Sequence, residues 1–459
     1  MAEYRETLIG RPSIEALFHI TDTYRGISLF SSNCGDDREY TGINPLIILT
    51  EGELRQGRSC KAISDPMKEL DRLVEYYSDL PDEAALLGYI SYDFKDRLEE
   101  PGLYGKRSQG IFGDFYFAIF EHYILTDRSR EKGKIISLTF PFVHDSLPLE
   151  KIPELLKYKI EHPGPEEAPA KELTHYKGTS LDKTDFENAV KKTIEYIRQG
   201  DIYQANITRT ISGESEQSAL ETAMELYRSN RITYGVFASI PGGHVISTSP
   251  ELFFRTGDGK ISASPIKGTI ARGRTPEEDV RNRDDLLQSE KNRAELAMIV
   301  DLLRNDLSKV CRPGTVDVPE FPLLMTLDNV FHLYADVIGE ILPETGIGEI
   351  LKKTFPGGSI TGCPKIRACQ IIDELEPVPR GIYTGSFGRI GFKGDAVFNI
   401  MIRSLFRSES RIMFNVGGGI TLLSDPGEEY EETIHKGTHI WKAVNMEEIE
   451  EERYCTGES

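Results

Sequence analysis

YTGSFGRIGFKGDAVFNIMIRSLFRSESRIMFNVGGGI, residues 383–420, reads as three β-strands in close succession. Apolar and β-branched residues place them at Tyr383–Ile390, Val397–Leu405 and Arg411–Val416, with Gly, Asp and Ser marking the turns. A helix follows at Asp425-Pro426, an N-cap residue with proline at the first helical position. Upstream, Thr184-Asp185-Phe186-Glu187 has the form of a capping box, and Phe186, Val190, Ile194 and Ile197 recur at helical spacing until Gly200. A second long helix is expected over Asp285–Leu307, and a strand at Leu333–Ile338. Residues 1–150 read as short strands, among them Ile27–Phe30, Leu46–Leu49, Leu86–Tyr92 and Phe112–Phe120, interrupted by one helix from Asp65 to Tyr77. A Pro- and Glu-rich connector occupies residues 157–184. Strands and helices therefore come in runs. That pattern predicts an α+β fold rather than a doubly wound parallel sheet.

The 459 residues, 39% of them apolar, are enough to bury a large core. The formal charge of −20 argues against a nucleic-acid partner, because phosphate-backbone binding needs clustered Lys and Arg. Six cysteines, at 34, 60, 311, 363, 369 and 455, form no C-x-x-C pair, which fits a reducing compartment. The first residues hold acids and no apolar signal-peptide core, and no stretch approaches the ~18 apolar residues of a membrane span. A cytoplasmic protein with no membrane partner is expected.

Carboxylates and glycines carry the chemistry. Glu295 shares a helix face with Met298, Ile299 and Leu302, so it is expected on a buried stripe, paired with a base or bound to a metal. Glu429 and Glu432 are three apart on the first turns of the last helix, where acids also oppose the helix dipole. Together with Glu295 they offer the oxygen ligands that one Mg²⁺ needs. PGGSITGCPK (356–365) is a loop of small residues opening a helix at Pro364; it could hold an anion but lacks the lysine of a Walker A loop. NVGGGI (415–420) is either a tight turn at Gly417, Gly418 and Gly419 or a close backbone approach to a carboxylate, with Arg403 nearby. His435 and His439 lack a third metal ligand and are expected at the surface.

Taken together, these segments resemble the chorismate-utilising enzymes, which include anthranilate synthase component I, aminodeoxychorismate synthase component I, and the isochorismate and salicylate synthases. The matching pieces are GDIYQANITR, STSPELFF, ASPIKGTIARG, AELAMIVDLLRNDL, NVFHLYADVIG, GGSITGCPKIRACQIIDELE, RGIYTGSFG, NIMIRSL, NVGGGI and EEYEETIHKG. They occur in the family's order and define a chorismate-binding catalytic region at 183–444. An N-terminal component I-like region at 1–160 matches more loosely, through SLFSSN (28–33) and GYISYDF (88–94). The resemblance implies two packed antiparallel sheets with helices outside and a site in the cleft between them. Gln204 stands where the isochorismate and salicylate branches carry a lysine base, which sets those branches aside. PIKGT stands where anthranilate synthases usually have PIAGT, so Lys267 is similar to the lysine of the aminodeoxychorismate branch.

That branch implies that Lys267 attacks C2 of chorismate while Glu251 protonates the departing 4-hydroxyl. Ammonia then attacks C4, giving 4-amino-4-deoxychorismate for 4-aminobenzoate and folate biosynthesis. By resemblance, Glu295, Glu429 and Glu432 hold Mg²⁺. Arg403, Tyr383 and the Gly417–Gly419 amides hold the pyruvyl carboxylate, Lys436 also binds substrate, His332 lies near the leaving group, and Thr361 lies near the ring carboxylate. A free lysine is neutral in about 1 molecule in 2,000 at pH 7, so a nucleophilic one needs its pKa lowered, whereas an acid at Glu251 needs its pKa raised. None of the cysteines sits in G-x-C-x-G and none of the nine histidines in H-x-E, so ammonia is expected from a separate glutamine amidotransferase subunit. The alternatives are anthranilate synthase component I activity and a catalytically silent regulatory homologue; the second is disfavoured by the presence of Glu251, Lys267, Glu295 and Glu432.

Overall fold

The computed structural model describes residues 3–31, 38–99, 110–127, 132–142, 147–149, 151–161, 173–229, 232–326 and 330–446. Residues 162–172 of the predicted connector lie outside the described residues. The fold is α+β with large antiparallel sheets. Strand Ile27–Ser31 pairs with both Arg38–Thr50 and Tyr234–Ile240, and Ala85–Ile90 pairs with both Phe115–Asp127 and Ser386–Gly391. Among the described residues, strands from the N-terminal and catalytic regions therefore share one continuous network of 20 strands, beside a separate sheet of 3. Burial drives this union. Phe115, Phe117 and Ile119 of the N-terminal region and Phe387, Ile390 and Phe398 of the catalytic region belong to one apolar core.

Local signals that depend on a few residues place the helices well. Asp65 caps Pro66–Tyr76, Asp425 caps Pro426–Ala443, and Gly200 ends Lys183–Gln199 in the left-handed conformation. Four readings need correction. Asp182, not Thr184, caps the helix at Lys183, accepting from the Asp185 amide at 2.8 Å. A further helix, Ile14–Thr23, precedes the first strands and is capped by Ser13. The helix expected over Asp285–Leu307 is two helices, Pro276–Gln288 and Glu290–Ser308, because Ser289 leaves helical geometry to cap the second. The strand expected at Leu333–Ile338 splits as well. Val330–Tyr334 joins the sheet of three, and Val337–Glu340 joins the large network.

The opening stretch forms four strands where three were expected, because the strand expected at Val397–Leu405 is broken, and that break matters for the site. Ser386–Gly391, Ala396–Asn399, Ser404–Ser408 and Arg411–Ile420 are the strands, and residues 400–403 form an irregular link. Tyr383 lies in the turn before the first of them. At Arg403 φ is +49°, an unusual conformation for a side chain with a Cβ, and such geometry collects at functional sites. The glycine triplet is not a tight turn. It is part of strand Arg411–Ile420, paired residue for residue with 205–214. A Cβ at Gly417 would come within 2.3 Å of the Ile207 carbonyl oxygen, so a side chain there would push the two strands apart.

Candidate active site

The sheet of three, the start of helix Glu290–Ser308, the loop at 357–361, strand Arg411–Ile420 and the last helix surround a cleft of about 410 Å³. That volume lies within the range of small-molecule sites. Glu251, Lys267, Glu295, His332, Tyr383, Arg403, Gly417, Gly419, Glu429, Glu432 and Lys436 all line it. Residues more than 180 positions apart in the chain thus converge on one space.

Lys267 sits on strand Ile266–Ala271, and Gly268 beside it has φ +74°, which a glycine adopts without strain. Asn292 packs directly against Gly268, which presses the strand onto the helix that carries Glu295. A Cβ on Gly419 would lie 3.8 Å from Lys267 Nζ, so the bare glycine leaves the amine open toward the cleft. Glu251 is 8% exposed, and burial raises its pKa above the usual carboxylate range. The Ser359 hydroxyl bond and the charges of Lys267 and Lys436 work against that rise. His332 pairs its Nδ1 with Thr269 Oγ1 at 2.7 Å; burial, reinforced by the Arg403 charge, lowers its pKa and favours the neutral ring.

Three carboxylates occupy the far wall. Glu295 is half-buried and faces the cleft; it does not sit inside the apolar stripe expected for it, because Leu296, Ile299 and Leu303 take the core-facing positions of its helix. Glu429 accepts from Ser424 Oγ at 2.6 Å, and its pKa is raised by burial and by neighbouring Glu432. Burial pushes the Glu432 pKa up, but the Lys436 ammonium, 2.7 Å away, together with the charges of Lys267 and Lys291 outweighs it and brings this pKa down. Lys436 Nζ also donates to the Gly417 carbonyl at 2.9 Å. Among the described residues no group of three or more Asp, Glu, His or Cys side chains is gathered closely enough to hold a metal ion. Carboxylate oxygens are the donor type Mg²⁺ takes, and an ion that keeps several waters needs only one or two of them.

Two expected site residues do not reach the space. Thr361 is fully buried behind the wall, with its hydroxyl bonded to the Gly357 carbonyl at 2.8 Å. Gly418 turns toward Glu429, whose Oε2 would lie 3.0 Å from a Cβ there. His439 is not a surface residue: its Nε2 is buried without a hydrogen-bond partner, and burial lowers its pKa to about 4. The cleft also contains Asn206, Lys291, Asn292, Ser359 and Asn415, none of which was expected. The spacing of Lys291 and Glu295, one helical turn apart, was the available signal for one of them.

A family model described as chorismate binding enzyme matches residues 28–442. The chain is 33% identical to anthranilate synthase component 1 of Aquifex aeolicus, over 84% of this chain and 81% of that protein. It is 30% identical to aminodeoxychorismate synthase component 1 of Bacillus subtilis, over 86% of this chain and 84% of that one. The crystal structure of anthranilate synthase component I from Streptococcus pneumoniae TIGR4 superposes with a TM-score of 0.74 at 28% identity, covering 90% of this chain and 93% of that chain. With the cleft and its carboxylates in place, this match over most of the length makes the chain a member of the chorismate-binding enzyme family.

Proposed function

We propose that this chain is the chorismate-converting component of an aminodeoxychorismate synthase. The observation that carries the reading is an amine, Lys267, in the same cleft as a buried carboxyl of raised pKa, Glu251. Lys267 Nζ bonds to C2 of chorismate, both ring double bonds shift (C1=C2 to C1=C6 and C5=C6 to C4=C5), and the C4–O bond breaks. Glu251 gives its proton to the departing hydroxyl, which leaves as water. Ammonia then bonds to C4, both double bonds shift back, the C2–N bond to Lys267 breaks, and the proton shed by the new amine returns to Glu251. The released lysine is regenerated and one hydroxyl has been exchanged for one amino group. Neutral His332 can donate or accept a hydrogen bond near the leaving oxygen without adding charge. Arg403 and Lys436 supply positive charge for the pyruvyl carboxylate, which Tyr383 helps to orient. Glu295, Glu429 and Glu432 would hold Mg²⁺, which when bound neutralises the ring carboxylate. Ammonia would come from a glutamine amidotransferase chain; the relatives named component 1 are consistent with such a division of labour. A cytoplasmic location fits this chemistry, and no described helix is long and apolar enough to cross a membrane.

A second reading has a specific support. The relatives named anthranilate synthase are as similar as those named aminodeoxychorismate synthase. In that reading ammonia attacks C2 directly and Lys267 forms no bond. Mass spectrometry separates the two. A substrate analogue that traps at C2 should add its mass to the wild-type chain and not to Lys267→Ala; an adduct that persists in the variant rules out Lys267 as nucleophile.

A further inference from the structure

Behind the cleft wall lies a buried arginine that binds three wall segments at once. Arg380 is 5% exposed and does not line the cleft. Its Nη1 donates to the Ile360 carbonyl at 2.9 Å and to Thr384 Oγ1 at 3.3 Å, and its Nη2 donates to the Asn206 carbonyl at 2.6 Å. Nε and Nη2 also grip Glu376 at 2.8 and 2.7 Å, and Glu376 in turn accepts from the Thr208 amide at 2.8 Å. The guanidinium lies 4.5 Å from the centre of the Tyr92 ring. Each neighbour of those acceptors faces the cleft: Asn206 itself, Ser359 before Ile360, and Tyr383 before Thr384.

We propose that Arg380 is a positioning residue, whose planar fork fixes strand 204–214, the loop at 358–361 and the turn at 382–385 in the mutual geometry that catalysis requires. Thr384 supports this. It is β-branched with φ +58°, a conformation that persists only where its surroundings hold it, and Arg380 and the Met401 carbonyl do so. Lysine cannot replace the fork, because a single ammonium lacks the fixed set of coplanar donors needed to serve two carbonyls and a carboxylate together. The consequence at the reacting centre runs through Ser359, whose hydroxyl bonds the carboxyl of Glu251. This inference rests on the proposed reading that chorismate reacts in this cleft.

The test uses the full chain with Arg380→Lys and Arg380→Ala, assayed by chorismate consumption with ammonium chloride and Mg²⁺. Misplacing reacting groups by about 1 Å costs on the order of 100-fold. The expected result in Arg380→Lys is therefore a kcat lower by about that factor, with a much smaller change in KM. Faster amide exchange over 358–361 and 382–385 should accompany it, and added guanidinium should restore part of the kcat of Arg380→Ala. If Arg380→Ala does not fold, Glu376→Gln, which loosens the same fork, replaces it. Wild-type kcat in a folded Arg380→Lys, or unchanged exchange over both segments, overturns the proposal. A wild-type chain that leaves chorismate untouched instead strikes the reading of the cleft, and the exchange measurement still decides on Arg380.

Discussion

Replacing Glu251 by glutamine removes a proton donor and little else. The main chain of Glu251 is tied at both ends, by its amide to Ser249 Oγ at 3.2 Å and by its carbonyl to the Ile400 amide at 3.0 Å, and neither bond involves the changed atoms. Glutamine matches the shape of glutamate, and its amide oxygen can still accept the Ser359 hydroxyl. Burial is the main cause of the raised pKa, and a neutral amide is no harder to bury than the carboxyl. The change therefore falls on the chemical step. Positioned acid–base catalysis contributes about 10²–10⁴-fold, which is roughly 3–5 kcal/mol of barrier at 1.36 kcal/mol per decade. Chorismate consumption under saturating ammonium should show kcat down by that factor, with KM and the melting temperature little changed. The pH profile adds a sign. The acid works while protonated, so activity is present below its raised pKa and lost as pH rises through it. In Glu251→Gln that alkaline limb should vanish from the residual rate. A variant with kcat within about threefold of wild type, far short of the 10² floor, or with the same alkaline limb, would falsify the assignment.

Two other outcomes are expected. Exhaustive chelation should abolish turnover and Mg²⁺ restore it, with Glu295→Ala and Glu432→Ala each impaired by at least about 10²-fold, because the remaining carboxylates cannot hold the ion; full activity in chelator contradicts the metal assignment. The purified chain should use ammonium salts at raised pH but not glutamine until an amidotransferase chain is added; efficient glutamine-dependent turnover by the chain alone would place an amidotransferase site within it.

What could be read from the sequence depended on how local each signal is. Asp425-Pro426 and Gly200 mark helix ends through backbone bonds within a few residues, and both stand where they were expected. Asp182 and Thr184 both have the chemistry of a cap, and only the path of the preceding chain selects Asp182. Ser289 interrupts a helix whose apolar periodicity continues across it, because the chain must turn there to bring Asn292 against Gly268. The split between Val330–Tyr334 and Val337–Glu340 reflects partners distant in sequence, Ile266–Ala271 and Lys260–Ser264, which no short window contains.

The site divides in the same way. Lys267, Glu251 and the carboxylates were recognisable because their motifs resemble a family, whereas spacing alone left Glu295 open between a salt bridge and a metal. The exposure of Glu295 to the cleft, the withdrawal of Thr361 behind the wall and the burial of His439 are consequences of packing. Ser359 and Arg380 lay within quoted motifs without an evident role. One acts through a hydroxyl that faces Glu251, the other through carbonyls that it reaches only in the folded chain.

The most direct measurement is the identity of the product formed by the wild-type chain from chorismate, ammonium chloride and Mg²⁺, resolved by mass and chromatography before any lyase is added. The expected product is 4-amino-4-deoxychorismate, which retains the enolpyruvyl group and releases no pyruvate. Anthranilate with an equimolar amount of pyruvate would contradict the covalent role of Lys267 and assign the cleft to direct attack at C2.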